Sequence, residues 1–448
     1  MLWITSLLDY LASHKTDTMN AGLHLDDKKT IRAWAFFDWA NSAYSLVIST
    51  AIFPIYFIAV APETLNFFGI ELSNESVYSY SIAFAYLLIA LVAPLLGGIA
   101  DFGNKRLAFL KAFTRVGALS CICLFFFSSE INVWIGTMAF VISTVGFAGS
   151  LIFYDSFLPR IASRPNYDKV SAMGYAYGYI GSVILLVFIL FMSQKPEIFG
   201  FSAESSLPYR IGFALVGVWW LGFAQITFRR MPKDNKERLP AGFVKSGYRE
   251  LRHAFSDLRK DKNLLYYLSS FFFYSAGVQT VIYLATIFAE QELAFSSGEL
   301  ILTVLILQIV AVLGAYIFAK VAKAKGSKQT LIILIMIWMC ICLAAYFTES
   351  KALFYVIAGF VGLVLGGIQS TSRAGFTKLL RSDEDDLSSF YSFYDVLFYI
   401  SVVFGTFAFG LVNQLTQSLR YSVLALVVFF VLAIVLLAPM KFRDPSIN

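Results

Sequence analysis

The sequence predicts an all-α membrane protein of twelve transmembrane helices in two six-helix halves, and three observations carry that prediction. Hydrophobic residues make up 58% of the chain and charged ones only 14%, where water-soluble domains carry roughly a quarter charged residues. Mean hydropathy is +0.71. Apolar stretches close to the ~20 residues needed to cross a hydrocarbon core recur almost end to end with short polar breaks between them. Backbone groups in lipid must be satisfied internally, so these stretches are helices; a barrel would show short alternating strands instead.

Hydropathy places the spans at 33–61, 77–100, 107–128, 132–154, 170–193, 208–228, 263–289, 298–320, 329–347, 353–373, 387–412 and 420–440. Lys and Arg in the breaks set their direction. Lys105 and Arg106 follow span two; Arg160, Arg164 and Lys169 follow span four. Lys323, Lys325 and Lys328 follow span eight, and Lys378 and Arg381 follow span ten. The alternate breaks hold none at 62–76 and 290–297, and elsewhere only Lys195, Arg210, Lys351 and Arg420. Both termini are therefore expected on the cytoplasmic side.

The largest break, 229–262, holds eleven Lys/Arg against five acids, an excess as large as the +6 net charge of the whole chain. A loop lying against anionic lipid accounts for it better than nucleic-acid binding. Leu251, Phe255 and Leu258 share one helical face within it, as in an amphipathic segment lying on the membrane surface. The domains are accordingly a cytoplasmic segment 1–32, a six-helix bundle 33–228, a basic linker 229–262, a second bundle 263–440 and a tail 441–448.

A weak internal echo accompanies this division. Cys121-Ile122-Cys123-Leu124 in span three matches Cys340-Ile341-Cys342-Leu343 in span nine, and Ser171 and Tyr177 match Ser388 and Tyr394 at equal spacing. Six-plus-six repeats are how many secondary transporters build a central site. The cysteines read as small apolar packing groups rather than metal ligands, because His14, His24 and His253 all lie outside the spans. Residues 2–11 are apolar but too short to span and follow no basic stretch, so a cleaved signal peptide is not expected; Met1 and Met19 are alternative starts.

Polar residues inside spans are the functional candidates, because each must be paired or solvated. Asp38 heads a stripe in which Asn41, Ser42, Ser45 and Ser49 follow at one helical face, expected to line a central cavity or to bond a neighbouring helix. Gln279 and Thr280 in span seven, Gln308 in span eight and Gln369 with Ser370 in span ten are candidates for holding a polar substrate; interhelical packing is the other reading. Asp395 lies two turns into span eleven, Asp155 and Arg373 close spans four and ten, and Asp101 closes span two. Gly174-x-x-x-Gly178 reads as a close-packing face. Tyr44 and Tyr394 are candidates for an aromatic lining.

Two motifs bring in a resemblance. Gly97-Gly98-Ile99-Ala100-Asp101-Phe102-Gly103-Asn104-Lys105-Arg106 resembles the loop signature of the major facilitator superfamily, although the corresponding place in the second half has Lys323 where an Asp would be expected. Trp34-Ala35-Phe36-Phe37-Asp38-Trp39-Ala40-Asn41-Ser42-Ala43-Tyr44, with Phe53-Pro54-Ile55-Tyr56, is similar to the opening helix of its vacuole-effluxer-like branch, whose fungal member is an autophagy-related amino-acid exporter. Phe153-Tyr154-Asp155-Ser156, Gly174-Tyr175-Ala176-Tyr177-Gly178-Tyr179, Gly277-Val278-Gln279-Thr280 and Gly366-Gly367-Ile368-Gln369-Ser370-Thr371-Ser372-Arg373 extend the likeness over most of the chain. Three positions depart from that branch: Ala276 where an acid is frequent, Tyr399 near a frequent Lys, and Asp155 where Asn is frequent.

The resemblance implies the major facilitator fold, with the first, fourth, seventh and tenth helices around a cavity. That would bring Asp38, Asp155 and Arg373 together as a gate in which a carboxylate takes up a proton, with a static bridge as the other reading. The expected function is secondary transport of a small organic solute, an amino acid by family analogy, coupled to protons. Efflux of hydrophobic compounds is the alternative, and a membrane-embedded enzyme a distant third, as the spans hold no nucleophile–base pair or metal set. No phosphate-cradling loop appears, so an ATP-driven pump is not expected. Neither cofactor nor nucleic acid is expected; the partners are the solute, a proton and lipid, for a monomer in a bacterial inner membrane.

Overall fold

A computed structural model describes residues 25–67, 69–128, 133–202, 205–234, 242–380 and 386–441. The alternative starts Met1 and Met19, His14 and His24, Arg381, the linker cations Lys236 and Arg238, and nearly all of the tail lie outside them. The described chain is helical apart from one hairpin. Ten helices are long and apolar enough to cross a membrane, and two bent helix pairs bring the number of spans to twelve.

The first bent pair is span one. Asp27 caps it by accepting from the backbone N–H and hydroxyl of Thr30 at 2.9 and 2.7 Å. An α-helix from Lys28 to Ala43 runs into a π-helix, Tyr44–Ala51, and the axis turns by 42° before a last helix, Phe53–Val60. Pro54 is the cause: it has no N–H to give to the preceding turn, and its ring crowds the carbonyl four residues back. The second pair is span seven, Lys262–Leu293, bent by 50° beyond Ile282.

The hairpin was not legible in the sequence. Strands β1 (Thr64–Phe67) and β2 (Ile70–Ser73) pair antiparallel in the break after span one, with Thr64 opposite Ser73. Gly69 supplies the positive φ of +88° for the turn, and its N–H donates to Asn66 Oδ1 at 2.9 Å. Next comes Asn74, which opens span two and heads the sequon Asn74-Glu75-Ser76. Its side chain is buried, and its amide nitrogen donates to the carbonyls of Ile58 and Ala61 at 3.0 and 3.3 Å.

Spans two to six run Asn74–Phe102, Arg106–Cys123, Val133–Asp155, Tyr167–Gln194 and Leu207–Arg230. Spans eight to twelve run Ser297–Lys325, Ser327–Tyr346, Lys351–Leu379, Leu387–Thr416 and Leu419–Leu437. Cys121 and Cys342 face the interior, whereas Cys123 and Cys340 are exposed, so the two thiols of each Cys-x-Cys lie on different faces.

The basic break gains a protein contact that its charge does not foretell. Residues Phe243–Lys260 do form an amphipathic helix, but its inner face is Gly247, Ala254 and Leu258, laid against the end of span two. Phe255 stays 47% exposed, with its ring 5.7 Å from that of Phe393 in span eleven. Small residues decide this. A Cβ on Gly247 would lie 2.5 Å from Ile99 Cγ1 and 2.9 Å from its backbone nitrogen, so only glycine lets the two backbones touch. The helix therefore rests one face on the end of span two.

Gly98→Val should wedge this contact open. We expect it to lower the apparent melting temperature of the purified protein by the equivalent of roughly 1–3 kcal/mol, the usual cost of overpacking. Gly222→Val, at a position where a Cβ meets nothing within 4 Å, should leave it unchanged.

Candidate functional site

Among the described residues Arg373 is the only guanidinium lining the central cavity, and it is 1% exposed. It comes from span ten, and all the partners of its guanidinium come from the first six spans. Nη1 donates to Asp38 Oδ2 at 3.1 Å and to Asp155 Oδ1 at 3.0 Å. Nη2 donates to Asp38 Oδ2 at 3.1 Å and to the Ser171 carbonyl at 2.9 Å. Nε donates to Ser171 Oγ at 3.0 Å. Spans one, four and five thus use all five N–H bonds.

Aromatic faces complete the enclosure. The guanidinium carbon lies 4.7 Å from the Trp34 ring, 5.6 Å from Tyr154 and 4.2 Å from Tyr175. Tyr154 donates to Asp38 Oδ2 at 2.9 Å, while Trp34 Nε1 donates to the Tyr154 carbonyl at 3.1 Å. Gly174 makes room: a Cβ there would collide with Asp38 Oδ2 and come within 2.7 Å of Arg373 Nη2. At Gly178 a Cβ would collide with Ser42 Oγ. The Gly174-x-x-x-Gly178 face is where span five packs on span one.

Asp101 is not in the cavity. It sits at the end of span two and caps span eleven. Its Oδ1 accepts from the Ser388 N–H at 3.1 Å, and its Oδ2 from the Ser389 N–H and hydroxyl at 2.8 and 2.9 Å. A carboxylate at a helix N-terminus is favoured by the unpaired N–H groups and the dipole there. Arg106 holds the carboxylate from its own half, Nη2 to Oδ1 at 2.7 Å, and its Nε donates to Ser388 Oγ at 3.0 Å. Ser171 and Ser388, paired in the sequence echo, therefore each accept from the Nε of a buried arginine of the opposite half, both at 3.0 Å.

A third tie was missed by sequence reasoning. Lys378 pairs with Asp168 at the start of span five and donates to Ser327 Oγ at 2.8 Å. Local pattern gives no sign of it, since the partners are 210 positions apart. These ties all join the halves at the end of the bundle that carries the basic loops. Removing one partner of such a buried pair costs roughly 3–5 kcal/mol, because the other charge is left uncompensated.

Beside Arg373 lies a cavity of about 250 Å³. Asp38, Asn41, Ser42, Ser45, Asp155, Gln279, Gln308, Gln369, Tyr394 and Asp395 line it with Arg373. From Asp38 it reaches Thr50, roughly 18 Å along span one at 1.5 Å per residue. Asn41 Nδ2 donates to Ser150 Oγ at 3.2 Å, and Tyr179 donates to Gln369 Oε1 across the halves. Four candidates do not line the cavity: Ser49, Ser370, Thr280 and Tyr44. Thr280 packs against Gly405 of span eleven, on the side of span seven away from the cavity. Tyr44 is fully buried within the first half, its hydroxyl 2.8 Å from Ser143 Oγ and 2.9 Å from Thr144 Oγ1. Neighbours 3 or 4 positions apart on a helix need not share an environment when the helix is packed on all sides.

The family model described as "Vacuole effluxer Atg22 like" matches residues 26–444. An uncharacterized MFS-type transporter of Bacillus subtilis (strain 168) is 30% identical over 415 residues, 92% of this chain and 94% of that one. Autophagy-related protein 22 of Pichia angusta is 23% identical over 428 residues, 82% of this chain and 75% of its own. The fold is similar to that of the fucose:proton symporter of E. coli, with a TM-score of 0.66 at 13% identity over 93% of this chain and 98% of the other.

Asp386, just outside span eleven, is a testable neighbour of the Asp101 tie. Burial together with the Asp101 and Glu250 charges pushes its carboxyl up to about 6, against the pull of His253, whose Nδ1 is 3.3 Å away. A raised carboxyl favours the folded state at low pH, and that contribution is lost as pH rises from about 4 through about 6. Asp386→Asn should therefore raise the apparent melting temperature at pH 7.5, leave it unchanged below pH 4, and flatten its pH profile between.

Proposed function

The chain belongs to the vacuole effluxer Atg22-like family, a branch of the major facilitator superfamily, and we propose that it moves a small organic solute across a membrane by alternating access driven by protons. The observation that carries this reading is the Arg373 cage. One cation from span ten binds two carboxylates from spans one and four at the foot of a cavity that both halves line. Such a contact closes one end of the pathway while it holds and opens that end when it breaks.

Protonation supplies the means. The titratable groups facing Arg373 are Asp38, Asp155, Tyr154 and Tyr175, with Asp395 in the same cavity. A proton taken by Asp38 or Asp155 would remove most of its attraction to the guanidinium and weaken the tie between halves. The departure at Asp155, where the branch frequently has Asn, gives this chain a second carboxylate on which that can happen. Amino acids are the solutes that the family resemblance puts first. Hydrophobic efflux has support in the aromatic share of the lining, but three buried carboxylates are a costly wall for an apolar cargo.

Uptake of a labelled solute mixture into proteoliposomes under an imposed pH gradient tests the reading. Wild type should accumulate label only with the gradient. Asp38→Asn and Arg373→Gln should each lower gradient-driven accumulation by at least about tenfold, in keeping with the cost of stranding a buried charge. Unchanged accumulation in Arg373→Gln would sink the gate.

A further inference from the structure

Among the described residues, the fully buried atoms of the cavity wall that lack a partner are all oxygens. Asp395 Oδ2, Asn41 Oδ1 and Gln308 Oε1 line it, and each is buried with no partner among the described residues. All three are acceptors. Asp395 is the decisive one, because once it meets a cation its carboxylate presents only oxygen, whereas an amide can turn its nitrogen to the same place. It is 8% exposed, and Arg373 is tied up elsewhere.

Charge points the same way. Among the lining residues three carboxylates, Asp38, Asp155 and Asp395, face one guanidinium. Arg373 has no N–H left for an anionic group, as its five go to Asp38, Asp155 and Ser171. The walls of the Asp395 side are aromatic. Phe271 stacks on Tyr394 with centroids 4.0 Å apart, and Tyr274 and Phe398 lie 5.5 and 6.3 Å from Phe271. Ring faces beside an unpaired carboxylate suit an organic cation better than a hydrated inorganic one.

We propose that Asp395 receives the ammonium group of the transported solute, with the Phe271–Tyr394 wall holding its apolar part, so that the cavity selects primary amines over the corresponding amino acids, alcohols and acids. This rests on the transport reading and departs from its first solute class: an α-carboxylate would face three carboxylates and a guanidinium whose N–H groups are all taken. Asn41 and Gln308 offer the ammonium further oxygen acceptors.

The test is equilibrium binding to the purified full-length protein, read by thermal unfolding through its seven tryptophans. The probes are phenethylamine, phenylalanine, 2-phenylethanol and 3-phenylpropionate, which share a ring and differ in charge, with sodium chloride as an inorganic cation. Phenethylamine should bind at least about tenfold more tightly than the other three, the worth of one charge-assisted hydrogen bond. Asp395→Asn should abolish that preference, and Asp395→Glu should keep part of it. The wild-type ranking stands by itself even if a variant fails to fold. Equal binding of the alcohol, a preference that survives Asp395→Asn, a response to sodium alone, or no binding by any probe would each overturn the proposal. Amine binding that depends on Asp395 without gradient-driven transport of any solute would instead sink the transport reading and leave the site standing. Transport that phenethylamine does not compete with would sink the site alone.

Discussion

A guanidinium buried in a membrane protein is tolerable only if every one of its donors is met, and that requirement organises the centre of this molecule. Arg373 belongs to the second half by sequence and to the first half by every hydrogen bond of its guanidinium. Much of the surrounding architecture serves it. Gly174 has no side chain, so that span five can approach; the Trp34 and Tyr175 rings lie over the cation; Tyr154 adds a third donor to Asp38 Oδ2. The same residues that would be a liability in isolation become a tie between two bundles that share little other polar contact in the cavity.

Charge is distributed unevenly along the molecule. At the end with the basic loops the halves are joined by matched groups: Asp101 with the start of span eleven, Asp168 with Lys378, Arg373 with Asp38 and Asp155. A few turns further in, matching stops, and Asp395 faces the cavity without a counter-charge. The contrast separates groups that hold the protein together from groups that wait for something else.

The fold was legible in the sequence because transmembrane helices are written in composition and length, both local properties. The Asp38, Asn41, Ser42, Ser45 stripe was legible for the same reason: one helix, one face, one period. Arg373 meeting Asp38 and Asp155 came through the family resemblance, as no local pattern joins positions more than 200 apart. Asp168 with Lys378 had neither signal and was missed. Thr280 and Tyr44 failed because a buried span has polar neighbours on several sides, and period alone does not say which side is the cavity. The linker helix was legible as an amphipathic segment but its seat on span two was not, because the glycine that settles the contact, Gly247, carries no charge to count.

The buried sequon at the head of span two bears on how the protein can be produced. Oligosaccharide is attached to Asn-x-Ser sequences while a chain is still emerging, before Asn74 has turned inward to the carbonyls of Ile58 and Ala61. In a eukaryotic secretory host that presents this hairpin to the lumen, a glycan added there would have no place in the finished packing. The modified fraction would be held back by quality control, and yield would depend on the race between folding and glycosylation. A bacterial host, or Asn74→Asp in a eukaryotic one, avoids that race.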